Sequence, residues 1–377
     1  MAAEATHHPS RWQRTAPRRP GLIWIAAWAA FAAFAALVLA RHAFHDRAWP
    51  LLLANMFTLY LFVPVWALAL VALVGKRWRL VGVTALLCAW HAAHLLPPLL
   101  PRDAPAAEGE GIRLVTANLL MVHPAPDRLA VELEAMDPDV LVLQEYSSRW
   151  QETTRRRGWF ETYPHHAVVV RDDSFGCALF SRFPLEDVSV VPMAGLPQLQ
   201  ATIRVDGVAV DLLDVHTLPP RIAEYVPGHR RALADIEAWA AQRSGDRPFL
   251  ITGDFNATPY SRFHRRISRL ADDAWELGGS GYGHTAPNGM FPLPPMRLDH
   301  IYLSPELTVR EVELGRGLGS DHRPIAAVIA LRKGAGGEGD QSTSARVTNT
   351  SRLDTPWKGK FVTLGSISTR KPTLPSY

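Results

Sequence analysis

Residues of types that bind metal ions or phosphate lie at the ends of a series of apolar, strand-like segments. Most follow a strand directly, whereas Asp299 begins one, and Asp321 and His322 precede the last strand. The set comprises Asn118 in VTAN, Glu145 in LVLQE, His216 in LLDVH, Asp254 and Asn256 in GDFN, Asp299 in RLDH, and Asp321 and His322 in SDH. Strand ends are rigid, so side chains placed there can be held in catalytic register. We therefore expect these side chains to converge on one pocket if the strands end at the same edge of a sheet.

The chemistry of this set is coherent. Carboxylate and carboxamide oxygens without a thiol are the ligands that Mg²⁺ or Mn²⁺ prefers. Histidines flanked by aspartates supply general acid and base groups. A cation acting with asparagine and histidine can neutralise the charge that builds up on phosphate during displacement. The cysteines, Cys88 and Cys177, lie far apart in the sequence and do not form a zinc motif.

Each motif by itself also has a structural interpretation. A Gly-Asp-x-Asn sequence is often a turn closed by the aspartate side chain. An Asp-His pair is often solvated, and an asparagine after a strand often caps the next segment. The order of the motifs along residues 118–322, rather than any single motif, favours a functional site.

The elements that must position these residues form a globular α/β pattern over residues 111–332. Apolar runs bounded by turn residues predict strands. These runs are 112–118, 140–143, 167–170, 177–180, 199–205, 208–215, 249–252, 298–303 and 325–331. Helical periodicity predicts helices over 127–136 and 230–241, and Asp206-Gly207 is a strong hairpin signal.

The order TAN…LQE…VH…GDFN…RLDH…SDHRP resembles the endonuclease/exonuclease/phosphatase (DNase I-like) superfamily over residues 111–332. The resemblance implies a four-layer α/β (α+β) sandwich, in which two β-sheets pack face to face with helices outside. It also implies a hydrolase that acts on phosphate ester bonds with water and a divalent metal, Mg²⁺ or Mn²⁺.

The same resemblance implies distinct roles for the motif residues. Glu145 is the principal metal ligand with Asn118 beside it, and Asp321 supports the metal directly or through water. Asp254 orients or activates the attacking water. Asn256 holds a phosphate oxygen.

The histidines are implied to act on the phosphate ester itself. His322 contacts the scissile phosphate and is oriented by Asp299, whereas His216 is a candidate general acid for the leaving oxygen. Arg221 and Arg297 are candidates for binding substrate phosphate, with a solvated loop arginine as the alternative interpretation of each.

The first hundred residues have a different composition. The stretches 21–40, 51–74 and 80–100 lack Lys, Arg, Asp and Glu, and each is long enough to cross about 30 Å of hydrocarbon. We predict three transmembrane helices in a lipid bilayer. The alternative is a cleaved signal peptide followed by core helices, but signal-peptide cores are shorter. His91, His94 and Pro97-Pro98 make the third stretch the least typical of the set.

Basic residues near these stretches predict the orientation. Arginines are frequent in residues 1–20, and the loop at 75–79 is also basic, so both segments should be cytoplasmic. The protein would then be a multi-pass protein of a bacterial cell membrane, with its catalytic domain outside the cytoplasm. Residues 101–110 have a linker composition. The polar, aperiodic residues 333–377 predict a disordered tail.

The function with most support from the sequence is a phosphodiesterase acting near the membrane, on lipid headgroups or other small phosphodiesters. An extracytoplasmic nuclease is the alternative, since arginine clusters at 155–157, 230–231 and 262–269 could form a basic groove. A DNA-repair role is disfavoured because Leu119-Leu120-Met121 follows Asn118, where apurinic endonucleases have an acidic residue. An inactive binding or signalling domain is a third interpretation, disfavoured by the intact polar set. The sequence indicates no protein partner.

Overall fold

The structure is a computed structural model that describes residues 21–100, 102–289 and 292–334. Its helices are α1 Leu22–Phe44, α2 Trp49–Met56, α3 Thr58–Leu61, α4 Val63–Val74, α5 Trp78–Leu95, α6 Pro126–Ala135, α7 Ser148–Arg156, α8 Trp159–Thr162, α9 Val226–Arg243, α10 Arg262–Ile267 and α11 Ala274–Gly278. Its strands are β1 Ala107–Asn118, β2 Val140–Gln144, β3 His165–Val169, β4 Cys177–Ser181, β5 Glu186–Met193, β6 Leu196–Val205, β7 Val208–His216, β8 Phe249–Asp254, β9 Asp272–Asp273, β10 Asp299–Leu303, β11 Leu307–Leu314 and β12 Ile325–Arg332.

The strands form two six-stranded mixed sheets. The strand order is β11-β12-β1-β2-β4-β3 in the first sheet and β5-β6-β7-β8-β10-β9 in the second. Within each sheet one central pair is parallel, β1 with β2 and β7 with β8. The other described pairs are antiparallel.

Apolar side chains on alternate positions of the strands separate the layers. The inward positions of both sheets, such as Leu114, Leu212 and Ile301, form one core between the sheets. The outward positions of the first sheet pack against α6, α7 and α8, and those of the second sheet pack against α9 and α10. The expected arrangement of two sheets flanked by helices is confirmed.

Some strands were not evident in the sequence. Strand β1 begins at Ala107, inside the segment with linker composition, and pairs there with the end of β12. Strand β5 is an edge strand and largely exposed, so it lacks the apolar run that marks a buried strand. Residues 1–20 and 335–377, for which a cytoplasmic tail and a disordered tail are predicted, lie outside the described residues.

The expectation of three transmembrane helices is wrong for the described part of the chain. One helix, α1, is long and apolar enough to cross a membrane, and a second span is counted only if α2 to α4, bent by 81°, are taken together. Helix α5 carries Arg79, His91 and His94, which lower its hydropathy. An apolar stretch in the sequence does not reveal a sharp bend, such as the one at Phe57 between α2 and α3.

Helices α1 to α5, which we call the helical unit, have a largely apolar surface. Leu22, Val74 and Leu86 are 85%, 75% and 72% exposed. The Arg77 guanidinium lies 4.6 Å from the Trp24 ring, so the basic loop after α4 is beside the start of α1. The opposite end of the helical unit faces the two-sheet domain, where the Tyr282 hydroxyl donates to the Leu95 carbonyl at 3.0 Å.

Candidate active site

Strand register places the polar residues of the sequence motifs at one edge of each sheet. In the first sheet Asn118 is level with Gln144, so Glu145 follows immediately beside it. In the second sheet Asp254 lies between His216 on parallel β7 and Asp299 on antiparallel β10. Because parallel strands end at the same edge, each sheet brings its own polar residues together.

Asn118 joins the two groups across the gap between the sheets. Its Nδ2 donates to Glu145 Oε1 at 3.2 Å and to Asp254 Oδ2 at 3.1 Å. The other oxygen of Glu145 accepts from the backbone N–H of Met121 at 2.7 Å. One amide therefore holds two carboxylates that belong to different sheets.

A histidine lies on each side of Asp254. Its Oδ2 is 3.6 Å from His216 Nε2 and 3.7 Å from His322 Nε2. His322 Nδ1 donates to Asp299 Oδ2 at 2.7 Å. Burial opposes a charge on His322, but Asp299 and Asp254 outweigh it and raise the pKa of His322 to about 10. His322 is therefore a cation at neutral pH.

Several supporting residues were not identified from the sequence. Ser320 Oγ donates to the Asn118 carbonyl at 2.8 Å and accepts from His322 N–H at 3.0 Å, and so ties the loop that carries His322 to the end of β1. The Gln198 side chain exchanges hydrogen bonds with the backbone of His216. Ser320 belongs to the GSDH motif and could have been found there, whereas Gln198 carries no local signal.

Some residues at this edge have a strained backbone. Glu145 and Asn256 have φ of 59° and 48°, in the left-handed region that residues with a Cβ rarely adopt. Gly253 has φ of 132°, and a Cβ there would lie 2.1 Å from the Val215 carbonyl oxygen. The close approach of β7 and β8 thus requires glycine at the first position of the GDFN motif.

The remaining candidates of the sequence are placed as follows. Asn256 N–H donates to Asp254 Oδ1 at 2.9 Å, and its Nδ2 donates to the Thr217 carbonyl at 3.0 Å. The half-buried Asp321 lies close enough to His322 to help raise the pKa of His322. Among the described residues, Arg221 and Arg297 make no hydrogen bond or ion pair with this cluster. Arg221 is exposed on the loop after β7.

Arg297 belongs to a second buried cluster on the opposite side of β10. It forms ion pairs with Asp273 at 3.0 Å and Glu276 at 2.8 Å. Asp273 also accepts from His300 Nδ1 at 2.6 Å, and His264 Nε2 lies 3.3 Å from Glu276. Since successive residues of a strand point to opposite faces, Asp299 and His300 contribute to different clusters.

Two groups among the described residues have the geometry to hold a metal ion. One is Asp254, Asp299 and His322 in the first cluster, and the other is His264, Asp273 and His300 in the second. Arg297 already supplies a cation to the second group. Beside the first group, Glu145 Oε1 and Asp254 Oδ2 meet around the Nδ2 of Asn118, and carboxylate oxygens suit a hard cation.

The profile of the Endonuclease/Exonuclease/phosphatase family matches residues 115–322, which hold all of these motifs. The chain belongs to the endonuclease/exonuclease/phosphatase family. This family is named for enzymes that cleave phosphate esters. The types and the order of the motif residues described above agree with such an activity. The family predicted from the sequence motifs is therefore confirmed.

Solved structures share the fold at low sequence identity. A humanised D. rerio TDP2 carrying 14 mutations is 16% identical, with a TM-score of 0.50, and covers 59% of this chain and 100% of its own. An endonuclease/exonuclease/phosphatase from Bacteroides vulgatus is 20% identical, with a TM-score of 0.49, and covers 59% of this chain and 100% of its own. No curated protein sequence matches the chain.

Proposed function

We propose that the protein is a membrane-attached, divalent-metal-dependent phosphodiesterase. The observation that carries this proposal is the joining of Glu145 and Asp254 by Asn118, with His216 and His322 on either side of Asp254. Carboxylates, an amide and a charged histidine in one buried group suit the binding and hydrolysis of a phosphate ester.

The residues present fit a Mg²⁺ or Mn²⁺ ion, which Glu145, Asn118 and Asp321 would hold. Carboxylate oxygens of Glu145 and Asp254 meet at Asn118 Nδ2, and the Glu145 carboxylate lies half-buried at a strand end. When bound, such an ion supplies positive charge to the phosphate oxygens and lowers the pKa of a bound water. We expect EDTA to abolish activity and added Mg²⁺ to restore it.

The side chains of the cluster have complementary tasks in hydrolysis. Asp254 accepts the proton of the attacking water, because its Oδ2 faces the centre of the cluster. The cationic His322 binds a non-bridging phosphate oxygen and is kept in orientation by Asp299. His216 donates a proton from Nε2 to the leaving oxygen, because Nε2 is the ring nitrogen that faces the cluster, 3.6 Å from Asp254 Oδ2. The second amide N–H of Asn256 binds another phosphate oxygen.

Attachment to a membrane is supported by the helical unit. Its exposed side chains are large and apolar over several turns of α1 and α4, a surface that water does not favour. The basic loop after α4 lies at the end of the unit remote from the catalytic domain. Because basic loops stay in the cytoplasm, and α5 connects this loop to the opposite end of the helical unit, we propose that the catalytic domain at that end is extracytoplasmic.

The positions of the clustered arginines favour a lipid headgroup or another small phosphodiester as the substrate. Arg156 and Arg157 are paired with Asp127 and Glu134 in the helical layer of the first sheet. Arg230 donates to the Arg47 carbonyl, and so faces the helical unit. These arginines do not line an open basic groove at the cluster, which a nuclease would need to hold a nucleic-acid backbone.

A substrate panel tests the proposal. Purified full-length protein in dodecyl maltoside is incubated with short-chain phosphatidylcholine or with plasmid DNA, each with MgCl₂ or with EDTA. We expect Mg²⁺-dependent cleavage of the phospholipid at the phosphodiester and slow or no nicking of the plasmid. Faster cleavage of plasmid DNA than of phosphatidylcholine would support the nuclease alternative. No cleavage of either substrate or of bis(p-nitrophenyl) phosphate would contradict the enzymatic proposal.

A further inference from the structure

A cavity of about 320 Å³ lies between the helical unit and the catalytic domain. We call it the interface cavity. Leu59 and His94 form part of its wall on the helical side, and Tyr260, Tyr282 and Arg297 form part on the other side. None of the residues assigned above to metal binding or catalysis lines it, so the cavity is distinct from the catalytic cluster.

The interface cavity has an excess of positive charge. Arg102 and Arg265 line it, and neither forms an ion pair with a carboxylate among the described residues. Arg102 donates to the Glu276 carbonyl at 3.0 Å, and Arg265 donates to the Tyr260 carbonyl at 3.3 Å. The carboxylate of Glu276, which also lines the cavity, is neutralised by Arg297 at 2.8 Å.

Buried polar atoms without partners occur in the same wall. Thr258 is 2% exposed and Arg297 is 5% exposed, yet Thr258 Oγ1 and Arg297 Nε have no hydrogen-bond partner among the described residues. His284 Nε2 is also buried without one. Leaving a buried polar group without a hydrogen bond is unfavourable, so a partner for these groups would stabilise the wall.

We infer that the interface cavity binds a phosphate group, presented as the headgroup of an anionic lipid. Arg102 and Arg265 supply charge and N–H donors that suit the oxygens of phosphate. Thr258, His284 and Arg297, whose unpaired atoms are closed to solvent, complete the polar wall. The apolar wall of the helical unit, including Met56, Leu59 and Pro97, suits the glycerol and first acyl carbons of a lipid. Inorganic phosphate shares the headgroup chemistry and is the soluble alternative source.

The proposal does not depend on the proposed enzymatic function, because binding is measured without turnover. Full-length protein in dodecyl maltoside with EDTA is titrated with inorganic phosphate and, separately, with phosphatidylglycerol in mixed micelles. The Tm is followed by tryptophan fluorescence, since a ligand of the folded state raises the Tm. Phosphatidylcholine micelles control for general solvation by lipid.

Substitutions in the cavity separate this site from the catalytic cluster. Arg102→Gln and Arg265→Gln should each raise the concentration needed for half of the Tm shift about tenfold, the effect of losing one charge-assisted hydrogen bond. Arg269→Gln is the matched control, because Arg269 is exposed near α10 and does not line the cavity. It should behave as wild type. Arg265→Lys, which keeps the charge, should retain binding within a few fold of wild type.

The outcomes are distinct. Phosphatidylglycerol acting at concentrations at least about tenfold lower than inorganic phosphate supports the lipid source. Equal potency supports soluble phosphate as the ligand of the site. The proposal is overturned if neither compound raises the Tm of wild-type protein, if phosphatidylcholine acts as well as phosphatidylglycerol, or if the shifts are unchanged in Arg102→Gln and Arg265→Gln.

Discussion

At the scale of single residues, the site depends on a neutral amide placed between two carboxylates. Asn118 is neutral and donates through Nδ2 to both Glu145 and Asp254, which holds the two carboxylates on either side of one amide. His322 adds the positive charge, because Asp299 and Asp254 raise the pKa of His322 to about 10 despite its burial. The roles of these residues in catalysis stay predictions.

Loss of the negative charge of Glu145 or of the positive charge of His322 should therefore abolish most activity while leaving the fold intact. We expect Glu145→Gln and His322→Ala to lower kcat at least about hundredfold, since each removes a group that stabilises charge in the transition state. Hydrolysis of bis(p-nitrophenyl) phosphate with Mg²⁺ measures this, and circular dichroism checks folding. Glu152→Gln, at an exposed position of α7, is the control. Near-normal rates in both site variants would place the active site elsewhere.

A buried acid lies behind the site, between the sheets. Asp214 is 1% exposed and accepts from Gln144 Nε2 at 2.7 Å, while its Oδ2 has no partner among the described residues. Burial raises the pKa of Asp214 well above its ordinary value. The carboxyl group is therefore protonated in the folded protein at pH values where it is ionised in the unfolded chain.

This shift predicts a pH dependence of stability. The pKa of an aspartate in the unfolded chain is about 3.9. Below this pH the raised pKa of folded Asp214 costs no stability, and stability is lost as the pH rises from there toward the pKa of Asp214 in the folded protein. Asp214→Asn removes that loss, so its stability relative to wild type should increase as the pH rises above the unfolded pKa, by at most about 1.4 kcal/mol per pH unit. Chemical unfolding at each pH measures it. Parallel stability curves for the two proteins would show that Asp214 is ionised when folded.

At the scale of elements, short segments hold the strands that carry the site. Asp273 ends β9 and caps α11, accepting from the N–H groups of Trp275 and Glu276 at 2.9 and 3.3 Å. The same carboxylate binds Arg297 and His300, which flank Asp299. The start of β10 is therefore positioned by a buried ion-pair cluster outside the catalytic one.

Removing the Asp273 carboxylate should be costly. We expect Asp273→Ala to lower the free energy of unfolding by about 3–5 kcal/mol, because Arg297 would remain as a buried charge that lacks one of its partners. The neighbouring Asp272→Ala breaks a partly exposed pair with Arg332 and should cost less than about 1 kcal/mol. Urea denaturation compares the two. A similar small cost for both variants would contradict the structural role of this cluster.

At the scale of the whole molecule, the helical unit is attached to the catalytic domain by polar contacts at one end. Trp49 Nε1 donates to the Pro220 carbonyl at 3.1 Å, and Tyr60 Oη donates to the Pro295 carbonyl at 2.6 Å. The domain is thereby held close to the apolar surface of the helices. A membrane that surrounds the helices would lie next to the loops around the interface cavity.

The proposed orientation can be tested with reporter fusions in a bacterial host. Alkaline phosphatase joined after residue 334 should be active, and green fluorescent protein at the same point should be dark, because the positive-inside rule places that point outside the cytoplasm. Alkaline phosphatase joined after Lys76 should be inactive. Fluorescence of the fusion at residue 334 would place the catalytic domain in the cytoplasm and contradict the orientation, although not the membrane attachment.

The sequence alone was sufficient to predict the family, the two-sheet fold and the residues that meet at the sheet edges. Those features are local: an apolar run marks a buried strand, and a polar residue directly after it marks the strand end. The edge strand β5, the support of His216 by Gln198 and the pairing of Arg297 with Asp273 required the tertiary structure, because each depends on residues distant in sequence. The number of helices long and apolar enough to span a membrane was also evident only there, since apolar composition does not record the bend at Phe57. The interface cavity likewise exists only where the helical unit and the catalytic domain meet.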